Sequence, residues 1–183
     1  RGDLAPHDKL AARLRPEVGP PPMDARMKLL ARMVATGFGL GYCPVASGTI
    51  GSLPGVVLAV VLAVTAVPPL WQAFIAAALS LMAVAVGDVA ERDFGTKDDH
   101  RIVADEYMTF PIVLIGIPWL QHPWFLAVAF LVARALDVIK PPPARQIQRV
   151  KGGAGVVLDD VVSNLYALGL NCLLWRLVVK LCA

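Results

Sequence analysis

LPGVVLAVVLAVTAVPPLWQAFIAAALSLMAVAVGD, residues 53–88, decides the fold. It is most of a longer stretch, residues 33–87, that holds no Asp, Glu, Lys, Arg or His. A membrane-spanning helix needs about 20 apolar residues, so this stretch is too long for one span and suits two. Val67-Pro68-Pro69-Leu70 breaks it where a turn belongs, because proline cannot continue a helix. The first span is expected near residues 53–67, entered obliquely from the Gly-rich residues before it. The second is expected over residues 71–87, with Trp71 as an interfacial anchor.

The composition agrees. Of 183 residues, 57% are hydrophobic and 17% charged, against about 45–50% and about 25% in soluble domains. That excludes disorder and a coiled coil. It also argues against a water-soluble bundle, which would have to bury every charge-free stretch inside one small domain. The net charge, 17 − 14 = +3, is too small to indicate nucleic-acid binding. The three cysteines, Cys43, Cys172 and Cys182, form no C-x-x-C pair and read as small apolar residues, not as a disulfide framework or zinc site. A second uncharged stretch, residues 107–133, is interrupted only by His122. Pro118, His122 and Pro123 mark a turn there, flanked by Trp119 and Trp124, and predict a hairpin of two short helices over 112–120 and 124–139. The first is too short to cross and must tilt, re-enter or pack inside the bundle. Residues 161–181 are long enough to span, with Arg176 and Lys180 placed to snorkel. The expected fold is all-α: a polytopic integral membrane helical bundle with about four to five membrane helices, short or re-entrant ones included.

Residues 1–25 differ in kind. Pro6, Pro16 and Pro20–Pro22 alternate with charges, and a mobile polar tail without the apolar core of a secretory signal is expected there. Residues 26–183 then form one domain, beginning with an amphipathic helix over 24–35 at the membrane surface. Basic residues set the orientation. One loop carries Arg134, Lys140, Arg145, Arg149 and Lys151, another carries Arg92, Lys97 and Arg101, and the turns at 68–69 and 121–123 carry none. The positive-inside rule places the tail and both charged loops in the cytoplasm, so every acidic cluster lies on one face.

Four constellations can carry chemistry. Asp98 and Asp99 precede Asp105-Glu106, Asp137 interrupts an apolar segment, and Asp159-Asp160 open the last span. Carboxylates at a membrane boundary are costly unless paired or metal-bound, and a hard divalent cation such as Mg²⁺ neutralises them. The competing reading makes them helix caps or dipole partners. Arg134, Asp137 and Lys140, spaced by three, share a helix face that Pro141 ends. They can meet a phosphate, or form a structural ion-pair ladder. The third is Gly37-Phe-Gly-Leu-Gly-Tyr-Cys-Pro-Val-Ala-Ser-Gly-Thr49-Ile-Gly-Ser52, whose amides and the Thr49 and Ser52 hydroxyls can cradle phosphate oxygens. Its competing reading is close helix packing. The glycines are no dinucleotide fingerprint, because no strand precedes them. The fourth, Gly152-Gly153-Ala-Gly155, reads as a flexible approach to the Asp159-Asp160 pair. His7, His100 and His122 show no ligand spacing, and no G-x-S-x-G elbow is present.

GFGLGYCPVASGTIGSLPG (37–55), DDHRIVADE (98–106), ARALDVIKPPP (133–143) and GGAGVVLDDVVSN (152–164) occur in an order and spacing that resemble the phosphatidylglycerophosphatase A family, over residues 27–181. The resemblance implies a Mg²⁺-dependent membrane phosphatase of the bacterial inner membrane. It would be multi-pass with its active site facing the cytoplasm, and would convert phosphatidylglycerophosphate to phosphatidylglycerol. The family's Gly-rich segment maps onto Gly37, Gly39, Pro44, Gly48, Thr49, Gly51 and Ser52, and its acidic motif onto Asp98, Val103, Asp105 and Glu106. Its Arg-Asp-Lys-Pro segment maps onto Arg134, Asp137, Lys140, Pro141 and Pro143, and its second acidic motif onto Gly152, Gly153, Gly155, Asp159 and Asp160. Departures fall at Ser47, Thr109 and Ser163-Asn164, which are packing positions in the family pattern.

The roles this implies are catalytic for Asp98, Asp105, Glu106 and Asp160. Mg²⁺ would be held by some of Asp105, Glu106, Asp159 and Asp160. Substrate would be bound by Thr49, Ser52, Arg134 and Lys140, with Asp137 orienting them. Water attack and a phospho-aspartate intermediate both stay open. The expected partners are a phospholipid substrate and the membrane, with room for an oligomer or larger membrane complex. The alternative is a catalytically degenerate relative that serves as a structural subunit. A CDP-alcohol phosphotransferase is excluded by its missing D-G-x-x-A-R signature.

Overall fold

A computed structural model describes residues 24–96, 99–148 and 153–182. Among them every regular element is helical: α1 Ala25–Ala35, α2 Ser47–Gly51, α3 Leu53–Val64, α4 Pro69–Phe94, α5 Ala104–Thr109, α6 Phe125–Ile139, α7 Ala144–Ile147 and α8 Gly153–Cys182. Three stretches are long and apolar enough to cross a membrane: Ser47–Val64, Pro69–Phe94 and Gly153–Lys180. The first joins α2 to α3, so the Gly-rich segment does lead into the span.

Contacts between elements define two ends. At one end, Asp88 Oδ1 near the close of α4 accepts from the Gly153 amide that opens α8 (2.7 Å). At the other, Gln72 Oε1 near the start of α4 accepts from the Gly116 amide (3.1 Å). There the Trp175 ring of α8 packs edge-on against Phe125 at 5.1 Å and lies 5.7 Å from His122. Small residues allow the helices to approach. Ala76, Ala83 and Ala90 are buried along one stripe of α4, and Ala129 and Ala133 along α6. In lipid, close backbone packing of this kind takes the place of hydrophobic driving force.

The centre is α5 and the 3₁₀ turn that continues it, Phe110–Leu114, in which every residue is buried. This segment packs against α3, α4 and α8. It also corrects the helix expected over 112–120. The chain there forms two 3₁₀ turns, Phe110–Leu114 and Trp119–Gln121. Pro111 and Pro118 interrupt the helical ladder, and Gly116 takes φ +71°. The segment is packed inside the bundle. The neighbouring helix, expected over 124–139, is present as α6.

Two further boundaries differ. The second span runs from Pro69 to Phe94, past the expected 71–87, because Asp88, Glu91 and Arg92 lie on the turns that emerge from the apolar zone. The last helix starts at Gly153, so Gly153 and Gly155 are helical and not a flexible approach, and Asp159-Asp160 sit inside the helix. The helix expected over 24–35 is present as α1, with Asp24 capping it through the Arg26 amide (3.3 Å). Residues 1–23 of the expected tail lie outside the described residues.

Gly55 marks the tightest crossing of α3 over the centre. An added Cβ would overlap the Tyr107 carbonyl and lie 2.7 Å from Phe110 Cβ. Gly55→Ala is expected to lower the thermal stability of the detergent-solubilised protein by about 1–3 kcal/mol. Gly169→Ala, where nothing lies within 4 Å, is the control that leaves it unchanged.

Candidate active site

The charged residues meet at the α4–α8 end of the bundle, where three elements supply them. Asp105 and Glu106 occupy the first turn of α5. About 100° separates consecutive residues on a helix, so the two carboxylates face different neighbours.

Glu106 looks toward the Gly-rich segment. Arg134 Nη1 on α6 lies 3.5 Å from Glu106 Oε2 and donates to Ser52 Oγ at 3.1 Å. The Ser52 hydroxyl donates to the Gly48 carbonyl (2.7 Å) and lies 3.2 Å from Glu106 Oε2. One turn along α6, Asp137 Oδ2 pairs with Arg134 Nη2 at 3.0 Å. Gly48 makes this approach possible: a Cβ there would overlap the Glu106 carboxylate and come within 2.9 Å of Arg134 Nη2.

Asp105 looks toward α8. Asp160 is buried, with Asp105, Asp137 and Asp159 as its charged neighbours. Asp159 is fully buried and accepts a hydrogen bond from Lys140 Nζ. Lys140 ends α6 in a left-handed conformation, φ +46°, just before Pro141.

Two residues at positions of departure from the family pattern belong to this centre. Thr109 Oγ1 donates to the Asp105 carbonyl (2.6 Å) and accepts from Asn164 Nδ2 (2.8 Å). These bonds stitch α8 to α5 beneath the carboxylates. The available signal was spacing: Ser163 and Asn164 follow Asp160 by three and four residues, so they share its buried face in an otherwise apolar helix.

A cavity of about 250 Å³ opens at this end, with Asp105, Glu106, Asp99, His100, Gln148 and Gly153 in its wall. A smaller pocket, about 10 Å³, lies between Ser52, Glu106, Arg134, Asp137, Asp160 and Asn164. Burial, then the neighbouring Glu106 charge, pushes the Asp105 carboxyl up to about 8. Burial also raises Glu106, opposed by Arg134. Asp99 is held well below the ordinary carboxylate range by its hydrogen bonds from Arg101.

Eight of the predicted residues therefore converge: Ser52, Asp105, Glu106, Arg134, Asp137, Lys140, Asp159 and Asp160. Thr49 does not join them. It is exposed, and its side chain makes no hydrogen bond to the cluster among the described residues. Asp98 lies outside the described residues. The glycines serve packing: a Cβ at Gly41 would overlap the Arg101 backbone, and one at Gly51 would sit 2.5 Å from Val103 Cβ.

Among the described residues no group of three His, Cys, Asp or Glu side chains is arranged to hold a metal ion unaided. Mg²⁺ does not need one, since it keeps several waters and takes one or two carboxylates plus substrate phosphate. The donor set suits that ion: hard carboxylate oxygens, of which Asp105 Oδ1 and Asp159 Oδ1 are buried without a hydrogen-bond partner among the described residues.

Fold and site together define a helical membrane protein with a buried, carboxylate-rich centre at one end. The chain belongs to the phosphatidylglycerophosphatase A family, whose model matches residues 33–175. It is 36% identical over 136 residues to phosphatidylglycerophosphatase A of Haemophilus influenzae, covering 74% of this chain and 82% of that protein. It is 32% identical to the Escherichia coli protein of the same name, covering 75% and 79%. A Bacteroides thetaiotaomicron protein, provisionally named a phosphatidylinositol-3-phosphatase, is 32% identical, covering 78% and 91%. No solved structure matches.

A pH dependence follows from Asp105. Its folded value, about 8, lies above the unfolded 3.8. The folded state therefore keeps a proton that the unfolded chain releases, and stability falls as pH rises through that window. With a metal chelator present, the midpoint of thermal unfolding is expected to drop between about pH 5 and about pH 8.5, and Asp105→Asn to flatten the slope. An equal slope in both proteins would refute the assignment.

Proposed function

We propose that this chain hydrolyses the terminal phosphomonoester of phosphatidylglycerophosphate, giving phosphatidylglycerol and phosphate, in bacterial phospholipid synthesis. The reaction is Mg²⁺-dependent and takes place at the cytoplasmic face of a multi-pass inner-membrane protein. The observation that carries this reading is the convergence of carboxylates from α5, α6 and α8 on Arg134 and Lys140, at one end of a bundle long enough to cross a membrane. The name of the family to which the chain belongs supports this choice of substrate.

The substrate's acyl chains lie in lipid and its phosphate enters the site from the headgroup layer. Asp105 and Asp160, with Glu106 as a further oxygen donor, are the residues that would hold Mg²⁺. Such an ion would supply charge neutralisation at the phosphate oxygens and would favour ionisation of the attacking water. Arg134 presents its guanidinium to the transferring phosphoryl group, braced by Asp137 and Glu106, and Lys140 adds a second fixed cation. The Ser52 hydroxyl, tied to Arg134, fixes the near wall. As the water oxygen bonds to phosphorus and gives up a proton to a carboxylate of the cluster, the bond to the glycerol oxygen breaks. The leaving alkoxide takes a proton, for which Asp98 is the candidate donor.

The test uses purified protein in detergent, with phosphate release measured from phosphatidylglycerophosphate with and without Mg²⁺. Phosphatidylinositol-3-phosphate is the comparison substrate, because one relative carries that name. Release is expected from the first lipid, and chelation abolishes it. Asp105→Asn and Asp160→Asn each lower turnover at least about a hundredfold while the protein remains monodisperse. Near-normal turnover in either variant refutes the reading. A wild-type protein inactive on both lipids would favour the structural-subunit alternative.

A further inference from the structure

Asp159 and Asp160 are adjacent, and a pair of carboxylates reads naturally as a pair of metal ligands. Their surroundings separate them. Asp160 borders the pocket formed with Ser52, Glu106, Arg134 and Asp137. Asp159, about 100° further round α8, borders neither that pocket nor the 250 Å³ cavity and is fully buried. Its side-chain partner among the described residues is the Lys140 ammonium, which donates to Oδ2.

We infer that Asp159 is a positioning residue for Lys140 and not a ligand of the cation. This rests on the phosphatase reading and gives one of its carboxylates a different task. Lys140 needs such a partner. Its side chain is a flexible four-carbon stem, its backbone takes the left-handed conformation at φ +46°, and Pro141 allows no helix beyond it. Unheld, the ammonium is free to turn toward the solvent, since the Lys140 side chain is 23% exposed. Held by Asp159, it stands among the charges of Asp159, Asp160 and Asp137, and its field reaches Glu106. A cation fixed at that point acts on charge that develops during phosphoryl transfer, so its placement bears on turnover more than on binding. The opposing observation is Asp159 Oδ1, buried and without a hydrogen-bond partner among the described residues, which is what a ligand oxygen would look like.

The experiment measures Mn²⁺ binding to the full chain in detergent by electron paramagnetic resonance, alongside kcat and KM for phosphatidylglycerophosphate. Asp159→Asn is expected to lower kcat about tenfold to a hundredfold with KM and Mn²⁺ affinity within about twofold of wild type. Asp160→Asn loses Mn²⁺ binding. Adding Asp159→Asn to Lys140→Met costs no further turnover, because the residue has nothing left to position. That double variant removes both members of the ion pair and leaves the net charge of the cluster unchanged, so it carries the comparison if Asp159→Asn alone fails to fold. Mn²⁺ binding weakened as much as in Asp160→Asn makes Asp159 a ligand and overturns the inference. So do multiplicative losses in the double variant, or lowered thermal stability with unchanged kcat. A wild-type protein without phosphatase activity sinks the proposed function instead, and the Mn²⁺ measurements still decide the place of Asp159.

Discussion

Carboxylates held out of water at the end of a membrane bundle impose the demand that the rest of the structure meets. Asp105, Glu106, Asp137, Asp159 and Asp160 stand against Arg134 and Lys140. Ions removed from water cost several kcal/mol each unless geometry and hydrogen bonds compensate. Compensation requires the backbone carrying them to come close, and the small residues provide that. Gly41, Gly48, Gly51 and Gly55 each touch the 101–110 segment so tightly that a Cβ would collide with it or with its partners. Ala83 and Ala90 leave α4 flat where α5 and the start of α8 press against it. The spans act as a frame, and the short buried segment from Ala104 to Leu114 is what they frame.

That hierarchy explains what the sequence made legible. Length and absence of charge reveal a span, because the bilayer sets both, and residues 53–88 could be read directly. The buried segment offers no such ruler. Residues 112–120 looked like a short helix because apolar runs carry no sign of how their backbone is satisfied. Pro111, Gly116 and Pro118 turned it into 3₁₀ turns instead. Asn171 Nδ2 on α8 donates to the Val113 carbonyl there (3.1 Å), a cross-helix bond that only the folded chain makes visible.

The site was legible in part, and for a chemical reason. Ionisable residues inside apolar segments are costly enough to mark themselves, so Asp105, Glu106, Arg134, Asp137, Lys140, Asp159 and Asp160 could be picked out. Uncharged polar groups are cheaper and send a weaker signal. Ser163, Asn164 and Thr109 looked like packing positions, yet the Thr109–Asn164 bond holds the two acid-bearing helices together. Thr49 failed in the other direction. It lies in a motif, but α2 turns it outward while Ser52, three residues on, faces Arg134.

Charge arithmetic links this centre to its substrate. With every group ionised, five carboxylates and two basic side chains leave 5 − 2 = 3 negative charges in one small volume. A phosphomonoester brings about two more, and no arrangement of Arg134 and Lys140 alone offsets that sum. Two remedies exist: protonate some carboxylates, or admit a divalent cation. Protonation is the remedy Asp105 takes in the absence of metal, with its carboxyl pushed up to about 8. On the proposed reading, a divalent cation would take the place of that proton, and the phosphate oxygens of the substrate would supply the further ligands that no group of three side chains among the described residues provides.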